Sequence, residues 1–388
     1  MTAVTRRLMV IVPDRISSLA EKGEITARYY NPGDLFDEVH LVLVNDDRPD
    51  PAIVQPTVGR ARLTLHNLPD PRALLFVATL GWRPILLRLW ARRAVRLAER
   101  IRPDLVRCHA PQLNAFAASE IKRCLGIPYV VSLHINPDAD RRAPIRDLRS
   151  LAHAVIRRAR DAHAQIAMRN ADAVVCAYEF LQPYAARSGA PKIDIIYNVV
   201  SPDHVPIKEE YRLGDPPRLI VVGRQIPDKD PRPVLDAVAR IDGLHATIVG
   251  NGILHDEVRA QATRLGLGER VAFHTSIGNE ELMQTVGEHD LLVSVNDYGG
   301  VSKVELEAAF VGLPVVTNAH PDEDLPEVLG KNCLVADGSV DGYERAIRRF
   351  LEDEDLRRTM GQGLRDSVAP LRHEELRLAS LYREIVGS

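Results

Sequence analysis

Short runs of β-branched and other apolar residues recur along this chain, and most neighbouring runs are separated by stretches long enough for a helix. Strands that alternate with crossover helices form a parallel sheet covered on both faces. In the first half, the predicted strands are Leu8–Val12, Val39–Val44, Leu105–Cys108, Tyr129–Leu133, Ala173–Cys176 and Ile193–Tyr197. The pattern begins again with Leu219–Val222, Ala246–Val249, Val271–Phe273, Leu291–Val295, Pro314–Thr317 and Leu334–Ala336. The sequence therefore predicts an α/β chain with two doubly wound domains.

The domain boundary is predicted in segment 201–217, where prolines and glycines interrupt any regular element. A length of 388 residues suits two such cores. We predict a first domain over residues 1–205 and a second over residues 206–370. Residues 371–388 are predicted to form a helix that packs back on the first domain, because their apolar side chains share one helical face.

Several protein classes are disfavoured by composition. The longest apolar run, Ala73–Trp82, is too short to span a membrane. The N-terminal residues lead directly into the first strand and leave no signal-peptide core. The four cysteines lie far apart without a Cys-x-x-Cys pair, which favours reduced thiols over disulfides or zinc. We therefore expect a cytoplasmic protein.

Charge is divided unevenly between the halves. Residues 1–200 hold 29 Lys and Arg against 20 Asp and Glu, whereas residues 201–388 hold 21 against 33. The densest basic stretch, Arg83–Arg102, has two interpretations. It is either an interfacial helix at the inner face of a membrane, with Trp90 and leucines facing anionic lipid, or a sheet-covering helix with an arginine-rich outer face. Nucleic-acid binding is disfavoured, because the net charge is −3 and aromatic residues make up only 5%.

The loop after the predicted strand Leu219–Val222 has the composition of an anion site. Gly223 ends the strand, and its missing side chain lets the backbone approach a ligand. Arg224 and Lys229 follow within this loop, and their cationic groups can converge on a diphosphate. A surface loop with two solvated cations is the alternative.

A helix start in the same half is a second candidate for anion binding. Ser302 is a plausible N-cap for a helix that ends at Gly312. The free amides there, with Gly300 and Val301 just before the helix, are expected to face a phosphate.

Glu307 lies in the second turn of this helix, where its carboxylate suits paired hydroxyls such as those of a ribose. In the alternative interpretation, Glu305 and Glu307 are solvated helix charges.

Four motifs follow one another between Leu219 and Met360. They are Val-Val-Gly-Arg-Gln-Ile-Pro-Asp-Lys, Ile-Val-Gly-Asn-Gly, Leu-Gly-Leu-Gly-Glu-Arg-Val-Ala-Phe and Lys-Val-Glu-Leu-Glu-Ala-Ala-Phe-Val-Gly-Leu-Pro-Val-Val. In this order and spacing they resemble the donor domain of retaining nucleotide-sugar glycosyltransferases of family 4. The resemblance implies the GT-B fold, with two facing Rossmann-like domains and an interdomain cleft. It assigns Arg224 and Lys229 to the donor diphosphate and Glu307 to the ribose.

The first half resembles the family more loosely, through His109-Ala110, Gly126-Ile127-Pro128, Ser132-Leu133-His134 and Ile196-Tyr197-Asn198-Val199. The resemblance implies that His134 faces the transferred sugar and that Gly23, after the first strand, lies under the donor diphosphate. Backbone near Thr275 and Ile277 is expected to contact the base.

One position departs from the family pattern. The family has two glutamates separated by seven residues, and counting back from Glu307 places the first at Gly299, which has no carboxylate. Counting forward from the strand end at Ser294 instead points to Asp297. Our hypothesis is that Asp297 takes the place of the missing glutamate.

The implied activity is metal-independent transfer of a sugar, with retention, from a UDP- or GDP-sugar to a carbohydrate, lipid-linked or small-molecule hydroxyl. No cofactor is expected. One alternative is a nucleotide-sugar 2-epimerase of the same fold, for which His109, His134 and Asp138 offer acid and base groups. Another is a non-catalytic nucleotide-sugar-binding subunit. A nicotinamide dehydrogenase is disfavoured, because no Gly-x-Gly-x-x-Gly follows Val12 or Val222.

Overall fold

The computed structural model of the protein describes residues 5–21, 23–69, 83–111, 113–134, 162–197, 205–297, 301–318 and 328–387. Its strands are β1 Arg7–Val12, β2 Glu38–Leu43, β3 Arg62–Asn67, β4 Leu105–His109, β5 Tyr129–Leu133, β6 Ala173–Cys176, β7 Ile193–Ile195, β8 Arg218–Val222, β9 His245–Val249, β10 Val271–His274, β11 Leu291–Val293, β12 Val315–Asn318 and β13 Leu334–Ala336. Its labelled helices are α1 Ile16–Glu21, α2 Pro51–Val54, α3 Arg83–Ile101, α4 Leu113–Leu125, α5 Gln182–Arg187, α6 Arg232–Ala239, α7 His255–Arg264, α8 Asn279–Gly287, α9 Lys303–Val311, α10 Val340–Glu352, α11 Glu354–Val368 and α12 Glu374–Val386.

The chain divides into two compact units. The first contains Met1–Ala20, Ile25–Val199 and His373–Ser388, and the second contains Glu21–Glu24 and Val200–Arg372. Each unit is built on one parallel sheet. By this division the short segment Glu21–Glu24 belongs to the second unit, and the terminal helix α12 belongs to the first.

Within the described residues, the first unit has a seven-stranded sheet of order β3-β2-β1-β4-β5-β6-β7. The six strands predicted for this half are present. The sequence pattern missed β3, because four of its six side chains are polar and its six positions are all partly or fully exposed. It lies at the sheet edge and pairs with β2 alone in this order.

The second unit has a six-stranded parallel sheet of order β10-β9-β8-β11-β12-β13 in the part of the chain that the structure describes. The six strands predicted for this half are also present, which confirms two doubly wound α/β domains. In both sheets the strand order reverses beside a central strand, β1 in the first unit and β8 in the second. Ligands bind such sheets at the carboxyl ends of the strands beside this reversal.

Two predicted strands end two residues earlier than expected. The strand predicted over Leu291–Val295 ends at Val293, and the strand predicted over Ile193–Tyr197 ends at Ile195. In each case a side chain replaces the neighbouring strand as hydrogen-bond partner. The Asn296 amide donates to Asn318 Oδ1 at 2.7 Å, and the Tyr197 amide donates to Glu374 Oε2 at 2.7 Å.

The terminal helix α12 is held to the first unit by two adjacent glutamates. Glu375 Oε1 accepts hydrogen bonds from Arg28 Nε at 2.7 Å and from the Gly33 amide at 2.8 Å. Glu374 accepts the Tyr197 amide described above. Apolar side chains of the helix, including Leu378 and Tyr382, join the core of this unit.

Helix α3 contains most of the basic stretch. Its buried side includes Leu87, Trp90, Ala91, Ala94 and Ala98. Its exposed side carries Arg88, Arg92, Arg93, Arg96 and Arg100. The apolar residues that an interfacial helix would place in lipid are thus inside the protein, which favours the sheet-covering interpretation. None of the helices in the described ranges has the length and apolar content required to cross a bilayer.

Candidate functional site

The loop after β8 is held by the loop after β9. The Gly223 amide donates to Val249 O, and the Gln225 amide donates to Asn251 O, both at 2.9 Å. A Cβ atom on Gly250 would lie 1.9 Å from Gly223 O, and its φ of +137° also requires glycine. The two backbones are in direct contact, so the position of the β8 loop depends on this glycine.

Arg224 and Lys229 both lie in the β8 loop, as predicted, but in different environments. Arg224 is exposed, whereas Lys229 is half-buried, with its side chain beside Gly223. Burial lowers the pKa of Lys229, and repulsion from Arg224 lowers it further, whereas Glu305 and Glu24 oppose the shift. These two cations, one exposed and one partly desolvated, repel each other, and a bound anion would stabilise both.

Helix α9 begins and ends where predicted, with Ser302 as N-cap and Gly312 as a left-handed C-cap. Its first turn is a capping box that the sequence analysis did not identify, although Ser-Lys-Val-Glu is its signature. Glu305 Oε2 accepts from the Ser302 amide at 2.6 Å, and its Oε1 accepts from Thr317 Oγ1 at 2.7 Å. These bonds occupy one of the amides that we expected to face a phosphate, so Glu305 has a structural role.

Glu307 is only 2% exposed, and Glu305 only 1%. The alternative in which both are solvated helix charges is therefore wrong. Glu307 Oε1 lies 3.5 Å from Lys303 Nζ and has no hydrogen-bond partner among the described residues. Burial raises the pKa of the Glu307 carboxyl, and Lys303 opposes the rise. A buried carboxylate oxygen without a hydrogen bond is costly unless a ligand supplies the donor.

Lys303 was not a candidate in the sequence analysis. Its Nζ donates to Asn279 Oδ1 at 3.1 Å and forms the ion pair with Glu307. The spacing of four residues between Lys303 and Glu307 on one helix is the signal that predicts this pair.

Asp297 follows β11 and is exposed. Its Oδ1 accepts a hydrogen bond from Asn318 Nδ2 at 2.6 Å, and its amide donates to Asp228 O at 3.0 Å. Asp228 precedes Lys229, so a backbone hydrogen bond connects Asp297 to the β8 loop, which is the cationic loop with Arg224 and Lys229. β8 and β11 are neighbouring strands, which is why two loops far apart in sequence meet here.

Gly23 packs against the segment predicted to contact the base. Its φ is +71°, and a Cβ atom there would lie 2.9 Å from Ile277 O and from Gly278 Cα. Ile277 is partly exposed, Thr275 is exposed, and Val301 is buried. Gly300 lies outside the described residues, as do Gly299 and Asp138.

In the first unit, the carboxyl ends of β4 and β5 bring two histidines together. The rings of His109 and His134 stack with centroids 5.1 Å apart and an interplanar angle of 8°. Tyr29 lies against both rings, and Arg107 Nη1 donates to Tyr29 O at 2.7 Å. Burial holds the pKa of His109 well below its ordinary value, and Arg107 and His134 lower it further. The sequence analysis did not select Arg107, although a charged residue within an apolar strand such as β4 indicates a specific contact.

Two family models match this chain. The model described as Glycosyltransferase Family 4 matches residues 36–204. The model described as Glycosyl transferases group 1 matches residues 206–366. Together the matches span the greater part of both units.

Curated relatives also match. Lipopolysaccharide core biosynthesis glycosyltransferase LpsE of Rhizobium meliloti is 26% identical over 199 residues, which cover 50% of this chain and 58% of the relative. 2-Deoxystreptamine glucosyltransferase of Streptomyces kanamyceticus is 27% identical over 314 residues, covering 75% and 79%. GDP-mannose-dependent alpha-(1-6)-phosphatidylinositol monomannoside mannosyltransferase of Mycobacterium tuberculosis is 30% identical over 180 residues, covering 42% and 45%. The match spans less than two thirds of the first and third relatives.

Solved structures align along nearly the whole chain. Sucrose-phosphate synthase from Thermosynechococcus elongatus superposes with a TM-score of 0.71 at 17% identity, covering 98% of this chain and 99% of that one. Anabaena Alr3699/HepE in complex with UDP gives 0.70 at 16% identity, covering 97% and 100%. At these identities the similarity concerns the fold.

Proposed function

Because this chain belongs to the glycosyltransferases of the family 4 type, which have the GT-B fold, we propose that it uses a nucleoside diphosphate sugar as donor and retains the anomeric configuration. In this reaction the bond between the anomeric carbon and the diphosphate oxygen breaks. The acceptor oxygen forms its new bond on the same face of the sugar, and its proton passes to the leaving phosphate oxygen.

The protein's part in this reaction is to stabilise the charge that develops on the departing diphosphate. Arg224 and Lys229 are proposed to bind it, with backbone of Gly300 and Val301 beside them. Because these groups supply positive charge and amide donors, the proposal requires no metal ion. Gly23 is proposed to lie under the same phosphates.

Glu307 is the single observation on which the proposal rests most. Its buried Oε1 has no hydrogen-bond partner among the described residues, and a ribose hydroxyl would supply a donor. Thr275 and Ile277 are proposed to contact the base. One named relative is described as GDP-mannose-dependent, and one named structure is a complex with UDP, so these two bases come first among the donors to test.

Asp297 and His134 are the proposed catalytic residues at the transferred sugar. Asp297 is exposed and tied to the cationic loop, and its Oδ1 makes the Asn318 hydrogen bond. His134 stacks on His109, which burial keeps neutral. For the acceptor we propose a hydroxyl of a carbohydrate, a lipid-linked sugar or a small molecule, because the relatives' names include each kind.

The test is a thermal-shift and calorimetric screen of UDP, GDP, their sugars, ADP and NAD. UDP or GDP should raise the melting temperature, because a ligand stabilises the state that binds it, whereas NAD should not. Arg224→Ala and Glu307→Gln should each weaken this binding. A wild-type protein that binds none of these nucleotides would refute the proposal. Binding without turnover across an acceptor panel would instead favour a non-catalytic subunit.

A further inference from the structure

The loop that carries Asp297 is clamped by one buried side chain, Asn318, at the carboxyl end of β12. Asn318 is 7% exposed. Its Oδ1 accepts from the Asn296 amide at 2.7 Å, and its Nδ2 donates to Asp297 Oδ1 at 2.6 Å. Both ends of one amide group are thus used on two consecutive residues of the β11 loop.

The chemistry of these partners fixes the orientation of the Asn318 amide. A backbone N–H can only donate, so it must face the Asn318 oxygen. The amide nitrogen therefore points to Asp297, where an ionised carboxylate can only accept. No other assignment of the two amide atoms satisfies both contacts.

A third hydrogen bond connects Asp297, already held by Asn318, to the proposed donor site. The Asp297 amide donates to Asp228 O at 3.0 Å, beside Lys229. Asn318 holds the carboxylate side of Asp297, and Asp228 holds its backbone. The position of the carboxylate is thereby set relative to the cationic loop.

We propose that Asn318 is a positioning residue that fixes the Asp297 carboxylate for recognition of the transferred sugar. The inference rests on the proposed function, because it requires a sugar nucleotide in this site. It also accounts for the departure from the family pattern. The carboxylate missing at position 299 is replaced from position 297, and an amide from the adjacent strand holds the substitute in place.

The experiment compares binding of the nucleoside diphosphate with binding of its sugar. UDP, GDP, UDP-glucose and GDP-mannose are titrated into the wild type, Asn318→Asp and Asp297→Asn. Asn318→Asp keeps the acceptor for the Asn296 amide but replaces the donor to Asp297 by a like charge. Since a hydrogen bond to a charged group contributes enough to change an equilibrium by about tenfold or more, both variants should bind the sugar nucleotide at least about tenfold more weakly. Binding of the nucleoside diphosphate should stay within about twofold.

The matched control is Gln261→Glu on α7. Gln261 Nε2 donates to Asp236 Oδ1 at 2.8 Å, so this substitution creates the same like-charge contact in the same unit, outside the proposed site. It should leave both affinities unchanged. The double variant Asn318→Asp with Asp297→Asn restores a donor–acceptor pair with its direction reversed. The double variant should regain the melting temperature that Asn318→Asp loses, but its affinity for the sugar nucleotide should stay low.

The outcomes separate the inference from the proposed function. If Asn318→Asp matches the control, or lowers both affinities equally, the positioning role is refuted while nucleotide binding stands. Recovery of sugar affinity in the double variant would also refute it, because an amide at position 297 would then suffice. A wild type that binds no sugar nucleotide more tightly than the nucleoside diphosphate would leave Asp297 no sugar to recognise and would overturn the inference. Failure of the wild type to bind UDP or GDP at all would overturn the proposed function itself.

Discussion

Replacing Glu307 by Gln should have two effects of opposite sign. The carboxylate is 2% exposed, its nearest described cation is Lys303 at 3.5 Å, and its Oε1 has no hydrogen bond within the described residues. Gln preserves the shape and removes the buried charge. The empty protein should therefore become more stable, while the bound nucleotide loses a charged hydrogen-bond acceptor.

The sizes of both effects follow from this geometry. A hydrogen bond to a charged group contributes about 1.5–3 kcal/mol, so the Kd for UDP or GDP should rise about tenfold to a hundredfold. Removing an incompletely compensated buried charge should stabilise the empty protein by about 1 kcal/mol. That corresponds to a gain of about 2–4 °C in melting temperature for a domain of this size.

The gain in stability should depend on pH. Burial raises the folded-state pKa of Glu307 above its ordinary value of 4.5. The cost of the buried charge is therefore absent below the ordinary value and appears as the pH rises through the folded-state value. Differential scanning calorimetry should show a larger gain for Glu307→Gln at pH 7 than at pH 4.5.

Glu305→Gln is the matched control, on the same helix and equally buried. Both Glu305 oxygens are hydrogen-bonded, to the Ser302 amide and to Thr317 Oγ1. A Gln side chain keeps one oxygen for the Ser302 amide, and its NH2 group can then only donate to Thr317 Oγ1. Because both charge-assisted bonds are lost and one is reversed in direction, this variant should lower the free energy of unfolding by about 1–3 kcal/mol. If Glu307→Gln instead lowers the melting temperature as Glu305→Gln does, and keeps its affinity for the nucleotide, our reasoning about Glu307 is wrong.

Three further predictions concern other parts of the chain. Gly250→Ala should lower the free energy of unfolding by at least about 2 kcal/mol and weaken nucleotide binding, because the added Cβ would lie 1.9 Å from Gly223 O. The control is Gly268→Ala, where a Cβ atom would meet nothing within 4 Å; chemical denaturation should show a change of no more than about 0.5 kcal/mol. Burial lowers the pKa of both His40 and His66, so the unfolded state takes up protons first and stability should fall as the pH drops below their ordinary value of 6.5. Melting temperatures measured from pH 8 to pH 5 should fall in the wild type, and this fall should be absent when His40 and His66 are both changed to Asn. Because the apolar side of α3 is inside the protein, the protein should not float with phosphatidylglycerol vesicles at physiological salt. Flotation at that salt would favour the interfacial interpretation of this helix.

The sequence predicted the sheets better than their edges. Buried strands such as β5 and β6 appear as continuous apolar runs, and their bounds are those predicted. β3 escaped because an edge strand has one partner and alternates polar with apolar residues. The ends of β7 and β11 were predicted too long, because side chains of Glu374 and Asn318 take over the hydrogen bonds there, and sequence periodicity carries no record of such a partner.

Within the site, residue types were easier to predict than residue roles. Glu305 and Glu307 have the same side chain and lie two positions apart, and both are buried. Only the contacts separate them, because Glu305 completes a capping box while Glu307 Oε1 has no hydrogen bond among the described residues. The Ser-Lys-Val-Glu signature could have assigned Glu305 to the helix cap. Nothing in the sequence could have shown that Gly250 lies against Gly223.

The departure at Gly299 shows why spacing along the chain is an incomplete guide to such a site. In a parallel sheet the carboxyl ends of neighbouring strands lie along one edge, so a side chain on β12 reaches the loop after β11 across 21 positions of sequence. A group absent from one loop can therefore be supplied by the next loop position and held by the adjacent strand. A motif defined by spacing within one segment shows only that the glutamate expected at position 299 is absent. The substitute that we propose, Asp297, is found only when the residues at the ends of β8, β11 and β12 are considered together, in the order of the sheet.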